Sequence, residues 1–363
     1  MEKRNYGIDL LRIISMFLVV ILHILGHGGV AAAVVPGSIS AYLVQLTKAA
    51  AVCAVNVFAI ITGFVMCDTK PRISKVLQLW LQTAFYTIGI TVVFFAFFSR
   101  NIGLRDGLNA LLPVSQNQYW FITAYVGMYL LTPFLNLAVQ NMEKRRYTGL
   151  LAIFFVAFSL VPTARSSDMY ALAGGYSTIW LCLMYLLGGY MKRFSLWENA
   201  KNGTLFLCYG LCVGMTFLSK VLMPWLGGTV LGRALTGDIF YQYVSPTVVL
   251  SAVFLVGAFS KMPIKGWLQK VVAFFAPAAL GVYLIHDHSI VREQLWKGVG
   301  PQIAGQNPAV MVLAVIGVAF AILITCLLID RARIYLFQFV RLPVLCQKIE
   351  EWINRCWNKW NKD

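Results

Sequence analysis

Asn5-Tyr6-Gly7-Ile8-Asp9-Leu10-Leu11-Arg12 opens an apolar run that continues to His23 and closes on Gly26-His27-Gly28-Gly29. The run is apolar enough to enter a bilayer, yet it holds Asp9, Arg12, His23 and His27. Ionisable groups are costly inside a membrane, so they face a protein interior or a water-filled cavity and mark functional positions. Arg12 and His23 are eleven residues apart, about 16 Å along a helix. His23 and His27, four apart, share a helical face. Function is expected along that face.

Working outward, hydrophobic residues fill 59% of the 363 positions and charged residues 12%, with a mean hydropathy of +0.73. Soluble domains are about half apolar and a quarter charged, so the chain reads as a polytopic membrane protein. Apolar stretches fall near 8–28, 46–67, 74–98, 118–140, 147–163, 176–194, 204–224, 239–260, 272–292 and 308–330. Most approach the roughly 20 residues that cross a hydrocarbon core. The fifth is short and ends at Pro162, which suggests a tilted or partly re-entrant path. The expected fold class is all-α, a membrane helical bundle of about ten transmembrane helices.

A net charge of +16 would point a soluble protein towards nucleic acid. Here Lys and Arg gather in short loops between apolar runs, as membrane topology alone produces, so nucleic acid is not an expected partner. Ten crossings put both termini on one side. That side holds 21 Lys and Arg against 8 on the other, with Arg12 inside the membrane, so both termini are expected in the cytoplasm. Lys3, Arg4, the apolar run and Ala31-Ala32-Ala33 imitate a cleaved signal. Cleavage there would discard the histidines, so the first helix is expected to be retained.

The membrane domain is expected over 1–331 and a basic tail over 332–363. In the tail, Ile349, Trp352, Ile353, Cys356, Trp357 and Trp360 recur at helical spacing opposite Lys348, Glu350, Arg355 and Lys359. This pattern fits an amphipathic helix lying at the bilayer interface. The eight cysteines form no CxxC pair and read as small core residues. No internal repeat is evident, which weakens a transporter reading based on inverted repeats.

With the N-terminus inside, Asp9 and Arg12 lie at the cytoplasmic mouth and His23 in the outer half. His286 and His288, in Leu284-Ile285-His286-Asp287-His288, approach the outer side too, as does Trp120 in Gln118-Tyr119-Trp120-Phe121. Asp9 and Arg12 have a bland reading, mutual neutralisation with Arg12 snorkelling to the interface. His27, among three glycines, reads as structural or loop-exposed. A four-histidine zinc site lacks ligand-like spacing with a carboxylate or cysteine, and no metal is expected. Lys70, Arg72 and Lys75 serve as positive-inside anchors or, with Arg12, as a polyphosphate site, since guanidinium groups pair bidentately with phosphate.

These motifs resemble the acyltransferase-3 family of integral-membrane O-acyltransferases, which modify bacterial surface polysaccharides and related acceptors. Asp9-Leu10-Leu11-Arg12 followed by His23 is similar to the family's Arg-x10-His signature. Asn56-Val57-Phe58-Ala59-Ile60-Ile61-Thr62-Gly63-Phe64 resembles its Phe-rich Ser-Gly segment, with Thr62 in place of Ser. Tyr119-Trp120-Phe121 through Thr132-Pro133 and Gly281-Val282-Tyr283-Leu284-Ile285-His286 resemble two further motifs. The likeness runs to about residue 330. It implies a multi-pass bacterial cell membrane protein, acetyl-CoA as acyl donor, His23 as the essential histidine and Arg12 in donor binding. The segment after the second helix keeps Arg72 and Lys75 but departs from the fuller Arg-rich pattern of many members.

Coenzyme A is a bulky anion on a thin arm, suited to a basic cytoplasmic mouth and a narrow channel. An acceptor hydroxyl arriving from outside would meet the thioester at His23. Neutral His23 would then take the hydroxyl proton, or an acetyl-histidine would form. In this reading His23 and Asp9 form the catalytic set, Asp9 by setting Arg12, with Arg12, Arg72 and Lys75 at the donor. Trp120, Tyr119 and His286 shape the acceptor end, where a surface polysaccharide or glycan precursor binds. Arg165, Asp168, Arg233, Asp238, Arg292 and Glu293 are candidate sugar contacts in the outer loops. Two rivals stand: a transport module for a small polar solute, as in membrane-bound serine racemase relatives, and a scaffold without chemistry. Dependence on an acyl donor separates the first. Ligand binding indifferent to Arg12 and His23 marks the second.

Overall fold

The computed structural model describes residues 4–97, 103–165, 167–230, 232 and 236–360. Its main helices are α1 (Tyr6–Leu25), α2 (Ile39–Ala51), α3 (Ala54–Met66), α4 (Ile73–Phe97), α5 (Trp120–Asn141) and α6 (Lys144–Phe155). They continue as α7 (Thr178–Arg193), α8 (Asn202–Thr229), α9 (Pro246–Ser260), α10 (Gly266–Phe275), α11 (Ala279–His286), α12 (Pro308–Phe339) and α13 (Leu342–Trp360). No strand occurs among the described residues.

Among the described residues, nine stretches are long and apolar enough to cross a membrane: Tyr6–Ala33, Ile39–Met66, Ile73–Phe97, Trp120–Asn141, Lys144–Arg165, Asn202–Thr229, Gly237–Ser260, Gly266–His286 and Pro308–Phe339. The tenth expected span is α7, only 16 residues, or about 24 Å. A helix enclosed by others can be shorter than the hydrocarbon, because its neighbours face the lipid instead. Trp180, Leu181, Tyr185 and Met191 of α7 are buried. It follows α3 from a Trp180–Asn56 hydrogen bond of 2.9 Å to a contact of Gly189 with Cys67.

Small residues set this crossing. A Cβ on Gly63 would lie 1.9 Å from the Tyr185 carbonyl oxygen, and one on Gly188 would lie 2.0 Å from that of Ile60. The two backbones therefore touch, as close membrane helices require. Asn56, fully buried, locks the outer part of the crossing by donating to the Tyr243 carbonyl at 2.8 Å while accepting from Trp180.

The polar groups at its ends pin α1 within the bundle. Asn5 caps it, accepting from the Ile8 amide at 3.1 Å and donating to the Ser260 carbonyl at 2.7 Å. Gly7 then lets α1 meet α9, since a Cβ there would sit 2.0 Å from the Phe259 carbonyl oxygen. Further along, α1 packs on α3, α11 and α12. Peripheral helices show apolar side chains outwards, among them Phe97, Ile153, Leu207, Leu313 and Phe320, as a lipid-facing surface demands.

Two other expectations meet the structure here. Pro162 does not end the fifth span, because a wide π turn at Val156–Leu160 precedes it and the helix resumes at Val161–Arg165. Such turns absorb a break in the hydrogen-bond ladder. The boundary at residue 331 falls inside α12, which runs on to Phe339. Arg341, with φ +53°, makes the corner to α13. The tail helix is then tied back by Arg72 to Glu350 at 3.4 Å.

Candidate functional site

Two cavities share one stripe of α1. Arg12 and His23 are eleven residues apart, which is about 20° past three full turns, so they point the same way. Asp9 and Arg12 line a cavity at the basic end of the bundle, and Met16, Val19 and His23 line a second at the other end. The facing helix α3 also serves both, with Phe64 in the first and Phe58 in the second.

The basic-end cavity measures about 970 Å³. Asp9 is 4% exposed and holds two guanidinium groups, Arg4 Nε at 2.5 Å and Arg12 Nη1 at 2.9 Å. A carboxylate that is buried must be paired in this way. Lys192 and Lys261 also line the space, as does Glu198. Lys261 donates to the Trp197 carbonyl at 2.8 Å. Four cations against two carboxylates leave the lining with a net positive charge, suited to a polyanion.

The second cavity, about 410 Å³, contains the histidine cluster. The hydrogen bonds fix its tautomers. His286 Nδ1 lies 2.6 Å from the Val282 carbonyl, which can only accept, so Nδ1 carries the proton and Nε2 a lone pair. His23 Nδ1, 2.9 Å from that Nε2, must donate. His23 Nε2 is left unprotonated, an assignment made from partners as is usual for imidazoles. A histidine in this state is a proton acceptor on the wall of a cavity.

Asp287 stands beside it, with Oδ1 3.5 Å from His23 Nδ1, 3.8 Å from His27 Nε2 and 3.6 Å from Arg292 Nη1. Burial raises its carboxyl to about 6, against the pull of Arg292 and the Tyr283 hydroxyl. His23, His27 and Asp287 bring ligand-type atoms within 4.8 Å of one another. A cation there would compete with Arg292 for Asp287 and with His286 for His23 Nδ1. The opposite wall is aromatic: Trp120 lies 4.4 Å from Tyr176 and 6.0 Å from Tyr243 between ring centroids, and the two tyrosines are 4.8 Å apart.

Of the residues singled out from sequence, Asp9 and Arg12 share one cavity, and His23, His27 and Trp120 the other. His286 sits behind His23, 1% exposed. Tyr119 is equally buried and donates to the Leu284 carbonyl at 2.7 Å, so it braces α11 without lining the cavity. Arg72 and Lys75 lie outside the basic-end cavity, Arg72 against Glu350 and Lys75 exposed. His288 accepts from the Ile290 amide at 3.3 Å. Among the loop charges, Arg292 joins the site. Asp168 accepts from two backbone amides at 2.8 Å, and Asp238 pairs with Lys220. Arg165 and Glu293 are exposed, and Arg233 lies outside the described residues. Sequence reasoning gave no role to Asp287, Arg4, Lys48, Tyr176 or Tyr243. Asp287 between two histidines, and Lys48 inside an apolar stretch, were the signals available.

One comparison bears on this arrangement. The family Acyl_transf_3, an acyltransferase domain, matches residues 5–330. No curated protein and no solved structure matches the chain.

Proposed function

The chain belongs to the Acyl_transf_3 family of acyltransferase domains, and on that premise we propose that it moves an acetyl or small acyl group from acyl-CoA to a hydroxyl of an extracytoplasmic glycan or related acceptor. The observation that carries this reading is the shared face of α1, with Arg12 in a basic cavity and His23 in a histidine cavity. The donor's phosphates and nucleotide suit the space between Arg4, Arg12, Lys192 and Lys261, which opens to the cytoplasm in this reading. Asp9 sets the two guanidinium groups. The thioester arm follows α1 for about 16 Å to His23, past Tyr125, which lies beside Thr62 and within electrostatic reach of Arg12.

His23 Nε2 takes the proton of the acceptor hydroxyl. The acceptor oxygen forms its bond to the thioester carbonyl carbon, and the carbon–sulfur bond then breaks. The leaving thiolate takes the proton back from His23 Nε2. While His23 is cationic, His286 Nε2 accepts its Nδ1–H and the Asp287 carboxylate faces its charge. His286 is thus a positioning residue. Trp120, Tyr176 and Tyr243 offer flat faces for an acceptor ring.

The test is acetyl-CoA binding and slow thioester hydrolysis by purified protein in detergent. Wild type binds saturably and hydrolyses slowly; Arg12→Ala loses binding; His23→Ala binds and does not hydrolyse. A folded wild type that binds no acetyl-CoA sinks the transferase reading.

A further inference from the structure

Lys48 is the charge in the histidine cavity that the reaction does not use. It lies inside the Ile39–Met66 span, where an ammonium group is costly unless it serves a partner or a cavity. Its Nζ sits 5.4 Å over the Tyr241 ring, and among the described residues no carboxylate oxygen comes within ion-pair distance of it. Asp238, which acts on Lys48 through space, is ion-paired to Lys220. Three charged residues line the cavity: Lys48, Asp287 and Arg292. Asp287 and Arg292 answer each other at 3.6 Å, and the histidines in the tautomers above are neutral. The lining therefore carries one uncompensated positive charge, on Lys48.

Aromatic side chains share the cavity with that charge and the base. Tyr241, under Lys48, is followed two residues later by Tyr243, which stacks on Trp120 and lies tilted against Tyr176. A sugar-sized acceptor laid on these rings would have Lys48 at one end and His23 at the other. We propose that the acceptor carries a carboxylate or phosphate near its reacting hydroxyl, and that Lys48 binds this anion and so selects acidic over neutral sugars. The proposal rests on the transferase reading of the same cavity and adds the charge class of the acceptor. Lys220 and Asp238 act on Lys48 with opposite sign, so a cation without an ion-pair partner still faces a largely apolar cavity, where an anionic ligand is favoured over a neutral one.

The test needs no knowledge of the natural acceptor. Diethyl pyrocarbonate modifies unprotonated imidazole nitrogen, so it reports occupancy at His23 Nε2, read by peptide mass spectrometry. Methyl glucoside, methyl glucuronide and glucose 6-phosphate are compared as protectants of wild type, Lys48→Gln and Lys48→Arg, with acetyl-CoA binding followed in parallel. An acidic sugar protects wild type at a concentration at least tenfold below that of methyl glucoside. Lys48→Gln abolishes the difference, and Lys48→Arg keeps it. The better of the two acidic probes tells carboxylate from phosphate. Equal protection by all three sugars, protection by none, or a preference that survives Lys48→Gln overturns the proposal. Retained acetyl-CoA binding in Lys48→Gln shows that the variant is folded. A wild type that prefers acidic sugars and binds no acetyl-CoA overturns the transferase reading instead.

Discussion

His23 depends on a neighbour 263 residues away. Without the His286 Nε2 lone pair, only Asp287 Oδ1 faces the His23 proton on Nδ1, at 3.5 Å, long for a hydrogen bond. His286→Phe is therefore expected to lower turnover by about 10²-fold or more and to leave acetyl-CoA affinity unchanged, with thermal unfolding as the control for folding. Asp287 gives a second prediction, in pH. Its carboxyl is raised from 3.8 to about 6 by burial. A raised acid favours the folded state below its unfolded value, and that contribution is lost as pH rises through about 6. A shift of this size amounts to at most about 3 kcal/mol. Wild type should thus lose stability relative to Asp287→Asn between pH 4 and 7 in thermal melts. Turnover should move the other way, falling below pH 6 as the anion facing His23 is protonated. Asp287→Asn should be slow throughout and show no such limb. A parallel pH profile for the two proteins would dismiss Asp287 as a partner of His23. Arg12 and His23 were legible in sequence because charge inside an apolar run is conspicuous. Asp287 was visible too, yet its role depends on folding α11 against the end of α1, which local pattern does not report.

At the scale of the element, the α3–α7 crossing carries the clearest expectation. Gly188→Ala places a methyl group 2.0 Å from the Ile60 carbonyl oxygen, and backbone has no rotamer with which to retreat. The helices must part, at a cost of about 1–3 kcal/mol or more, read as a lower melting temperature in detergent. Gly203→Ala on α8 meets open space and should leave it unchanged or raised. Equal melting of both variants would mean that the crossing is looser than described. The short helix α7 also shows why ten spans were expected and nine qualify. Hydropathy sees an apolar stretch at 176–194, whereas only the packing shows that α3 and its neighbours enclose it. Arg72 and Lys75 repeat the lesson. Their charges follow a membrane helix in sequence, but the chain turns them towards α13 and the surface, away from the cavity that Arg12 lines.

Over the whole molecule, the distribution of charge predicts an orientation. The basic end, with α13 attached, should face the cytoplasm. Cys356 is exposed on α13, while six of the other seven cysteines are buried. A membrane-impermeant maleimide should label Cys356 in inverted vesicles and spare it in intact cells, and Cys356→Ser should abolish that signal. Labelling from outside would reverse the bundle and put the basic cavity out of reach of cytoplasmic acyl-CoA. The membrane character of the bundle was legible from composition and its helical class from the length of the apolar runs; the meeting of both cavities on α1 was legible only as a spacing. That spacing behaves as a ruler. One residue inserted between Arg12 and His23 would swing the histidine about 100° off the shared stripe. Seven would bring it nearly back into line but about 10 Å further along, beyond the reach of an arm measured for the original gap. The ten side chains between them can change in kind, within the limits of an apolar helix, but not in number.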